Sequence, residues 1–463
     1  MTNFWDSSVW GFVNLMGVLL ISLLISNALK RKVSLVRKSL IPTSVLGGLM
    51  LLVIAWIYKV ISGTALFDTQ FFGGNGCEML EMITYHCLAI GFISMTFKNS
   101  NKKLSKKRNI EIFNTGVTTV CTYLLQGILG LGITILLVKV CAGIIDAAGI
   151  LLPFGYGQGT GQAMNYGNIY ETDYGFVGGR NFGLTIAALG FLSASFGGII
   201  HLNILRAKGR KFATEEDEVA QVKSMAPNNS FMDSLAIAVA FIFGTYMIAY
   251  LIIFALGNLA GGLKSVLYGF NFLIGVLIAT LVKKIVNSLR EKNVITREIL
   301  SPYMMEQIEG FTFDLMIVAG IAAIQINLLK GYWYVAVILG VVGLFATYFY
   351  NKYVADTLFT EYKDEQFLGM YGMMTGTAST GVILLKEADP NFKTPVAENM
   401  VYQNFPAIVF GFPMMLLAAL APKNAILTLG ILVAFFVVMN VVLFRSKLFK
   451  KKLTNSEKIN KNK

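Results

Sequence analysis

Charged residues are scarce in this 463-residue chain, where Asp, Glu, Lys and Arg make up 14% against 55% hydrophobic residues. A soluble globular protein carries about 25% charged residues, so the composition excludes an ordinary soluble domain. The chain has instead many continuous apolar stretches of about 20 residues, each long enough to cross a bilayer as an α-helix. Because these stretches do not alternate with polar residues, the sequence also argues against a transmembrane β-barrel.

Residues that commonly hold metals or carry catalysis are also few. The four cysteines show no CxxC or Cys/His ligand spacing, and there are only two histidines. The sequence has no HExxH or GxSxG motif and no pair of carboxylates at membrane depth. It therefore predicts no enzyme, no disulfide framework and no cofactor.

The apolar stretches predict eleven membrane crossings. They lie at about 9–29, 40–61, 79–97, 112–138, 181–204, 231–256, 265–286, 311–329, 332–350, 398–420 and 425–444. Two segments between them, about 146–170 and 365–389, are too rich in glycine and polar residues to be ordinary spans. The predicted fold is an all-α polytopic membrane protein with about eleven transmembrane helices and two re-entrant loops.

The basic residues are distributed unevenly between the two sides of these crossings. Of the 39 Lys and Arg, 33 fall in alternate connections and in the C-terminal tail. The positive-inside rule then predicts a multi-pass protein of the plasma (cytoplasmic) membrane with its N-terminus outside and its C-terminus in the cytoplasm. The same bias accounts for the net charge of +13 without a nucleic-acid partner.

The two glycine-rich segments match each other. Gly159-Thr160, followed by Gly161-Gln162, corresponds to Gly376-Thr377, followed by Ala378-Ser379. Five predicted crossings separate the segments, and five is odd, so they are expected to enter from opposite sides. Two homologous halves of opposite orientation are the signature of an inverted-repeat secondary transporter. The predicted units are an N-terminal repeat (1–204), a cytoplasmic linker (205–230), a C-terminal repeat (231–420) and an added span with a basic tail (421–463).

A glycine-rich polar loop at membrane depth offers free backbone groups and neutral side-chain dipoles to a ligand. Such dipoles can hold a carboxylate or Na⁺ without the cost of an unpaired buried charge. The candidate substrate-binding residues are Gln158, Gly159, Thr160, Gly161, Gln162, Asn165, Thr375, Gly376, Thr377, Ser379, Thr380, Asn399 and Gln403. The candidate Na⁺ ligands are Thr160, Thr377, Asp314 and Asn404. The alternative is that these small residues only pack helices together.

Two ionisable residues within the predicted spans leave alternatives open. Asp314 is either a functional intramembrane carboxylate or an interfacial residue near the start of its span. His86 is either part of a proton relay or, as we favour, a structural histidine bonded to a neighbouring helix.

On these residues the chain resembles the bacterial sodium/glutamate symporter family over about residues 10–420. That family's first loop usually has a Gly-Gly-His-Gly-Thr core, and Gln158 stands at the His position here. Its second loop usually has a Gly-x-x-Pro-Thr-Ala-like core, and Gly376 replaces the proline. Gln325 occupies the place of an Arg that the family usually has late in a span of the second half.

The resemblance implies a scaffold that holds two mobile core units, and coupling of inward Na⁺ to an acidic amino acid. It also implies a homodimer. The predicted function is Na⁺-coupled import of L-glutamate or a closely related anionic substrate by alternating access, with Na⁺ as the coupling ion. The alternatives are a symporter for another carboxylate and a proton-coupled carboxylate carrier. A channel is a weaker alternative, because two inverted loops in one chain favour alternating access.

Overall fold

The structure is a computed structural model. It describes residues 3–98, 105–140, 143–209, 231–259, 264–294, 300–329 and 331–448. Over these ranges the regular elements are helices and no strand occurs. Nine of the helices are long and apolar enough to cross a membrane, and one bent pair makes up to ten. The prediction of an all-α polytopic membrane protein is therefore confirmed.

The first half of the chain contains seven α-helices in the described ranges. They are α1 (Ser7–Lys32), α2 (Ser34–Lys38), α3 (Thr43–Ser62), α4 (Gly76–Lys98), α5 (Lys106–Leu137), α6 (Leu151–Tyr174) and α7 (Gly179–Ala207). The predicted linker begins inside α7, and its residues from 210 onwards lie outside the described residues.

The second half follows the same order of elements. Its helices are α8 (Phe231–Leu259), α9 (Lys264–Gly269), α10 (Asn271–Glu291), α11 (Pro302–Ala322), α12 (Trp333–Leu358), α13 (Lys363–Thr375), α14 (Ala378–Ala388), α15 (Val396–Tyr402) and α16 (Asn404–Leu420). The added span is α17 (Ala425–Leu443), and a short α18 (Arg445–Leu448) follows. The basic tail from residue 449 lies outside the described residues.

One predicted span is displaced along the chain. The apolar run at 311–329 belongs to α11, which begins at Pro302 and ends at Ala322. Pro302 is suited to the first turn because its missing N–H has no acceptor there. The helix takes in Glu306, Glu309 and Asp314. It is therefore more polar than the apolar run that predicted it, and it is not among the nine apolar helices.

The first glycine-rich segment doubles back on itself. The rings of Phe154 and Tyr166 stack with centroids 4.2 Å apart, although twelve residues of straight α-helix would separate them by about 18 Å. The reversal occurs at Gly159, whose φ of 78° and ψ of −166° are non-helical. Such a positive φ is readily adopted only by glycine. We call residues 146–174 the first hairpin and Gly159 its tip.

The second glycine-rich segment is a hairpin of α13 and α14. A Cβ on Gly372 would lie 2.7 Å from the Cα of Gly381, and one on Gly381 would lie 2.4 Å from the carbonyl oxygen of Gly369. The two arms are therefore in backbone contact, which only glycine permits at these positions. Gly376 and Thr377 form the turn between the arms. We call residues 363–388 the second hairpin and Gly376–Thr377 its tip.

The two hairpins enter the molecule from opposite ends. Both ends of the first hairpin lie where α12 begins. The Tyr332 hydroxyl donates to the Val177 carbonyl at 2.5 Å, and a Cβ on Gly143 would lie 3.6 Å from the Tyr332 ring. The second hairpin starts where α12 ends.

The tips of the two hairpins meet in the interior. A Cβ on Gly159 would lie 3.4 Å from the Thr377 methyl group. Corresponding helices of the two halves pack in corresponding ways around the tips: α4 packs on α11, α3 packs on α11, and α10 packs on α4.

Candidate functional site

A cavity of about 160 Å³ lies beside the meeting tips. Its walls include many aromatic and methionine side chains: Phe92, Met95, Tyr123, Phe154, Phe272, Phe313, Met316, Met373, Phe412, Met414 and Met415. Glu309 is the only Asp, Glu, Lys, Arg or His among the described residues that line it. The Glu309 carboxylate accepts from the Lys98 ammonium at 3.2 Å. An anion in this cavity would therefore be held by neutral hydrogen-bond donors.

The second hairpin presents a helix N-terminus to this cavity. Thr377, Ala378 and Ser379, at the start of α14, line the wall. N–H groups in the first turn of a helix have no intrahelical acceptor, and the dipole gives this end a partial positive charge. Such an end is a ready site for a carboxylate.

The threonines of this tip mainly support the helix start. Thr377 and Thr380 form a capping box, in which the Thr377 N–H lies 3.4 Å from the Thr380 hydroxyl. The Thr375 hydroxyl donates to the Tyr371 carbonyl at 2.6 Å. Gly376 lies against Thr380. Of the predicted residues of this tip, Thr377 and Ser379 line the cavity.

The first hairpin contributes Phe154, Gly157 and Gln158 to the cavity wall. Gly159 and Thr160, at its tip, are buried. The Thr160 hydroxyl donates to the Met316 carbonyl of α11 at 3.2 Å. A Cβ on Gly161 would lie 2.8 Å from the Met316 sulfur.

Gln162 and Asn165 lie further along the second arm of the first hairpin. The Asn165 amide donates to Gln162 Oε1 and to the Gly269 carbonyl, both at 3.4 Å. Both side chains are buried and neither lines the cavity. This predicted pair therefore lies apart from the cavity.

The bend between α15 and α16 brings two predicted amides to the cavity. The Gln403 Oε1 accepts from the Thr119 hydroxyl of α5 at 2.8 Å. Its Nε2 donates to Asn404 Oδ1 at 3.1 Å. Gln403 and Asn404 both line the cavity. Asn399 is fully buried behind them, and it donates to Gln366 of the second hairpin at 3.4 Å.

The structure thus brings part of the predicted set together. Gln158, Thr377, Ser379, Gln403 and Asn404 line one cavity, and most of the other predicted residues support the tips. The four predicted Na⁺ ligands do not converge. Thr160 and Thr377 lie at the meeting tips and Asn404 lies in the cavity wall, but Asp314 is outside it, next to Ser44 of α3.

Two other residues singled out in the sequence also lie outside this cavity. His86 Nδ1 lies 2.8 Å from the Tyr246 hydroxyl on α8, as expected for a structural histidine. Gln325 lines a separate small cavity of about 40 Å³ together with Lys59. Its N–H donates to Asn181 Oδ1 at 2.6 Å.

Helix α5 supplies residues that were not predicted. The Tyr123 hydroxyl donates to the Gly157 carbonyl of the first hairpin at 2.9 Å. Three residues later, Gln126 Nε2 donates to the Met374 carbonyl of the second hairpin, also at 2.9 Å. With Thr119, they form a polar stripe at helical spacing along one face of α5. This stripe is visible in the sequence and is the signal that could have identified them.

Neither protein-family models nor curated proteins match this chain. The resemblance to sodium/glutamate symporters rests on the loop residues and stays a prediction.

Proposed function

We propose that this protein is a Na⁺-coupled secondary active symporter that imports L-glutamate or a closely related anionic substrate by alternating access. The observation that carries the proposal is the pair of helical hairpins that enter from opposite ends and meet at Gly159 and Thr377. Discontinuous helices in corresponding positions of two halves form the substrate and ion sites of such transporters. Because the two tips meet in the interior, a substrate bound there can be reached from one end of the molecule and then from the other.

The substrate carboxylate binds at the N-terminus of α14 in this proposal. The backbone N–H groups of Ala378 and Ser379 and the side chain of Gln158 are donors at the cavity wall. Glu309, the acidic residue of the wall, is paired with Lys98 and shares its negative charge between Lys98 and the ammonium group of an amino acid. The aromatic and methionine walls contact the aliphatic part of the substrate.

Na⁺ adds positive charge beside the anion and orders the tips that bind it. Neutral oxygens near the tips are suitable ligands for a hard cation. Because such coupling is reciprocal, substrate tightens Na⁺ binding by the same factor as Na⁺ tightens substrate binding.

A second candidate is a Na⁺-coupled carrier of a monocarboxylate or an amino acid without a second carboxylate. The described lining has no Lys, Arg or His to pair with the side-chain carboxylate of glutamate, and its surface is largely apolar. A buried carboxylate without a charged partner is costly. An apolar substrate side chain avoids this cost.

Uptake into proteoliposomes tests the proposal. Labelled glutamate and labelled leucine are each offered with an inward Na⁺ gradient or an equal K⁺ gradient, at two pH values. Na⁺-dependent glutamate uptake is the expected result, and Na⁺-dependent leucine uptake alone favours the second candidate. Uptake that follows pH and ignores Na⁺, or no uptake of either solute, would contradict the proposal.

A further inference from the structure

A second polar group lies behind the tip of the second hairpin, outside the cavity described above. Gln126 of α5 is fully buried, and its Nε2 donates to the Met374 carbonyl at 2.9 Å and to the Thr347 hydroxyl of α12 at 2.8 Å. Its Oε1 has no hydrogen-bond partner among the described residues. An amide oxygen buried without a partner costs about 1–3 kcal/mol. The amide is therefore only half satisfied in this orientation, and turning it over would leave one of its two polar atoms unpaired as before.

The groups around this amide are oxygens. Met374 lies in the last turn of α13, where carbonyls lack intrahelical donors and the helix dipole is negative. Thr347 is fully buried. One turn along α12, Asn351 is 1% exposed, and its Oδ1 also has no partner in the described part of the chain. None of these residues is charged, so the group is electron-rich and carries no formal charge.

We propose that Gln126, Thr347 and the Met374 carbonyl form a binding site for the coupling Na⁺, with Asn351 Oδ1 as a further oxygen. In the structure the Nε2 of Gln126 lies 2.8 Å from the Thr347 hydroxyl oxygen and 2.9 Å from the Met374 carbonyl oxygen, so both oxygens face the same atom. Half a turn of the amide about its last side-chain bond exchanges nitrogen for oxygen. Three oxygens then face one centre, and Na⁺ replaces the amide hydrogens as their common partner.

The ligand chemistry favours a monovalent cation. Amide, hydroxyl and carbonyl oxygens are ligands of hard cations. The site contributes no carboxylate to balance a double charge, and removing a divalent ion from water without such a counter-charge is costly. The backbone carbonyl comes from the C-terminal end of a half-helix, which is where Na⁺ is coordinated in discontinuous transporter helices.

The site is placed to couple ion and substrate. Met374 lies two residues before Gly376, in the tip whose other arm presents Ala378 and Ser379 to the cavity. Na⁺ bound to the Met374 carbonyl fixes the tip from behind while the substrate binds in front of it. This inference rests on the proposed function and identifies the place of its coupling ion, apart from the Thr160, Thr377 and Asn404 group.

Na⁺-dependent thermal stabilisation tests the site without any substrate. The full-length protein in detergent is unfolded in NaCl and in choline chloride at equal ionic strength, and the difference in Tm is the readout. Gln126→Leu and Thr347→Val are compared with Thr118→Val, because the Thr118 hydroxyl is buried in α5 but donates only to the Asn114 carbonyl of its own helix. Size-exclusion chromatography in choline chloride checks that each variant is folded. If Gln126→Leu does not fold, Thr347→Val alone tests the site.

The expected result is a Tm increase in Na⁺ for the wild type and for Thr118→Val, and its loss in the two site variants. An unchanged Na⁺ response in a folded Thr347→Val or Gln126→Leu would overturn the site and leave the proposed symport intact. No Na⁺ response in the wild type would also overturn the site. The uptake experiment then decides separately whether transport depends on Na⁺.

Discussion

The two hairpins are built from similar sequences but make different surfaces. The tip of the first hairpin is buried, is held by the Tyr123 hydroxyl on Gly157, and exposes little beyond Gln158. The tip of the second opens the first turn of α14, Ala378 and Ser379, to the cavity. In the proposed function, the first hairpin forms mainly the wall against which the substrate is held, and the second binds its carboxylate.

The largest expected difference concerns how each hairpin is anchored. A Cβ on Gly149 would lie 1.9 Å from the Gly130 carbonyl oxygen, whereas one on Gly372 would lie 2.7 Å from the Gly381 Cα. Gly149→Ala must move the first hairpin away from α5 and is expected to cost about 3 kcal/mol; Gly372→Ala is expected to cost about 1–2 kcal/mol. Thermal unfolding in detergent measures both. Equal losses of Tm would show that the two anchors are alike.

The next effect concerns the N-terminus of α14. Proline suits the first helical position, and Thr377 before it is already extended, so Ala378→Pro removes one N–H and preserves the helix. A hydrogen bond to a charged group contributes about 1.5–3 kcal/mol, so substrate Kd should rise about tenfold or more.

Ser379→Ala is the matched control, because it keeps every N–H and removes only a hydroxyl. Glutamate binding is measured for both variants by isothermal titration calorimetry in Na⁺. If Ser379→Ala weakens binding and Ala378→Pro does not, the hydroxyl and not the helix N-terminus holds the carboxylate.

A smaller effect on stability is expected from alanine substitutions at the glycines of the two tips, Gly159 and Gly376. Gly159 has a φ of 78°, so Gly159→Ala is expected to cost about 1–2 kcal/mol through the backbone alone. Gly376 has a φ of −142°, which other residues adopt, but its Cβ would lie 2.8 Å from the Thr380 hydroxyl. Gly376→Ala is therefore expected to act by displacing a capping residue.

The double variant Gly376→Ala/Thr380→Ala distinguishes these causes. It should lose less stability than the sum of the two single changes, because the Thr380 hydroxyl, which is the atom closest to the new Cβ, is gone. A double variant whose Tm falls by the sum of the two single changes would argue for backbone strain at Gly376.

The smallest effect is expected at Asp314, which faces Ser44 away from both tips. Asp314→Asn should change substrate Kd and the Na⁺ concentration for half-maximal uptake by less than about twofold, as for substitutions outside a binding site. Uptake across a series of Na⁺ concentrations measures this. A marked rise in the half-maximal Na⁺ concentration would indicate that Asp314 takes part in Na⁺ binding.

Much of the architecture was predictable because it follows from local chemistry. Apolar length predicts helices, and the matched Gly-Thr segments predicted where two of them break, at Gly159 and Gly376–Thr377. The site was predicted only in part. A polar residue on a re-entrant arm can face the cavity, as Ser379 does, or a neighbouring arm, as Asn165 does, and the sequence pattern is the same for both.

The sequence by itself determined that this is an all-helical membrane protein with two interrupted segments, because apolar length and glycine content act locally. Only the tertiary structure decided what those segments do. It brought Gly159 within reach of Thr377, placed Tyr123 and Gln126 of α5 on the two tips, and separated Asp314 from them. These contacts join residues far apart in the chain, and they depend on how helices pack side by side, which no local pattern specifies.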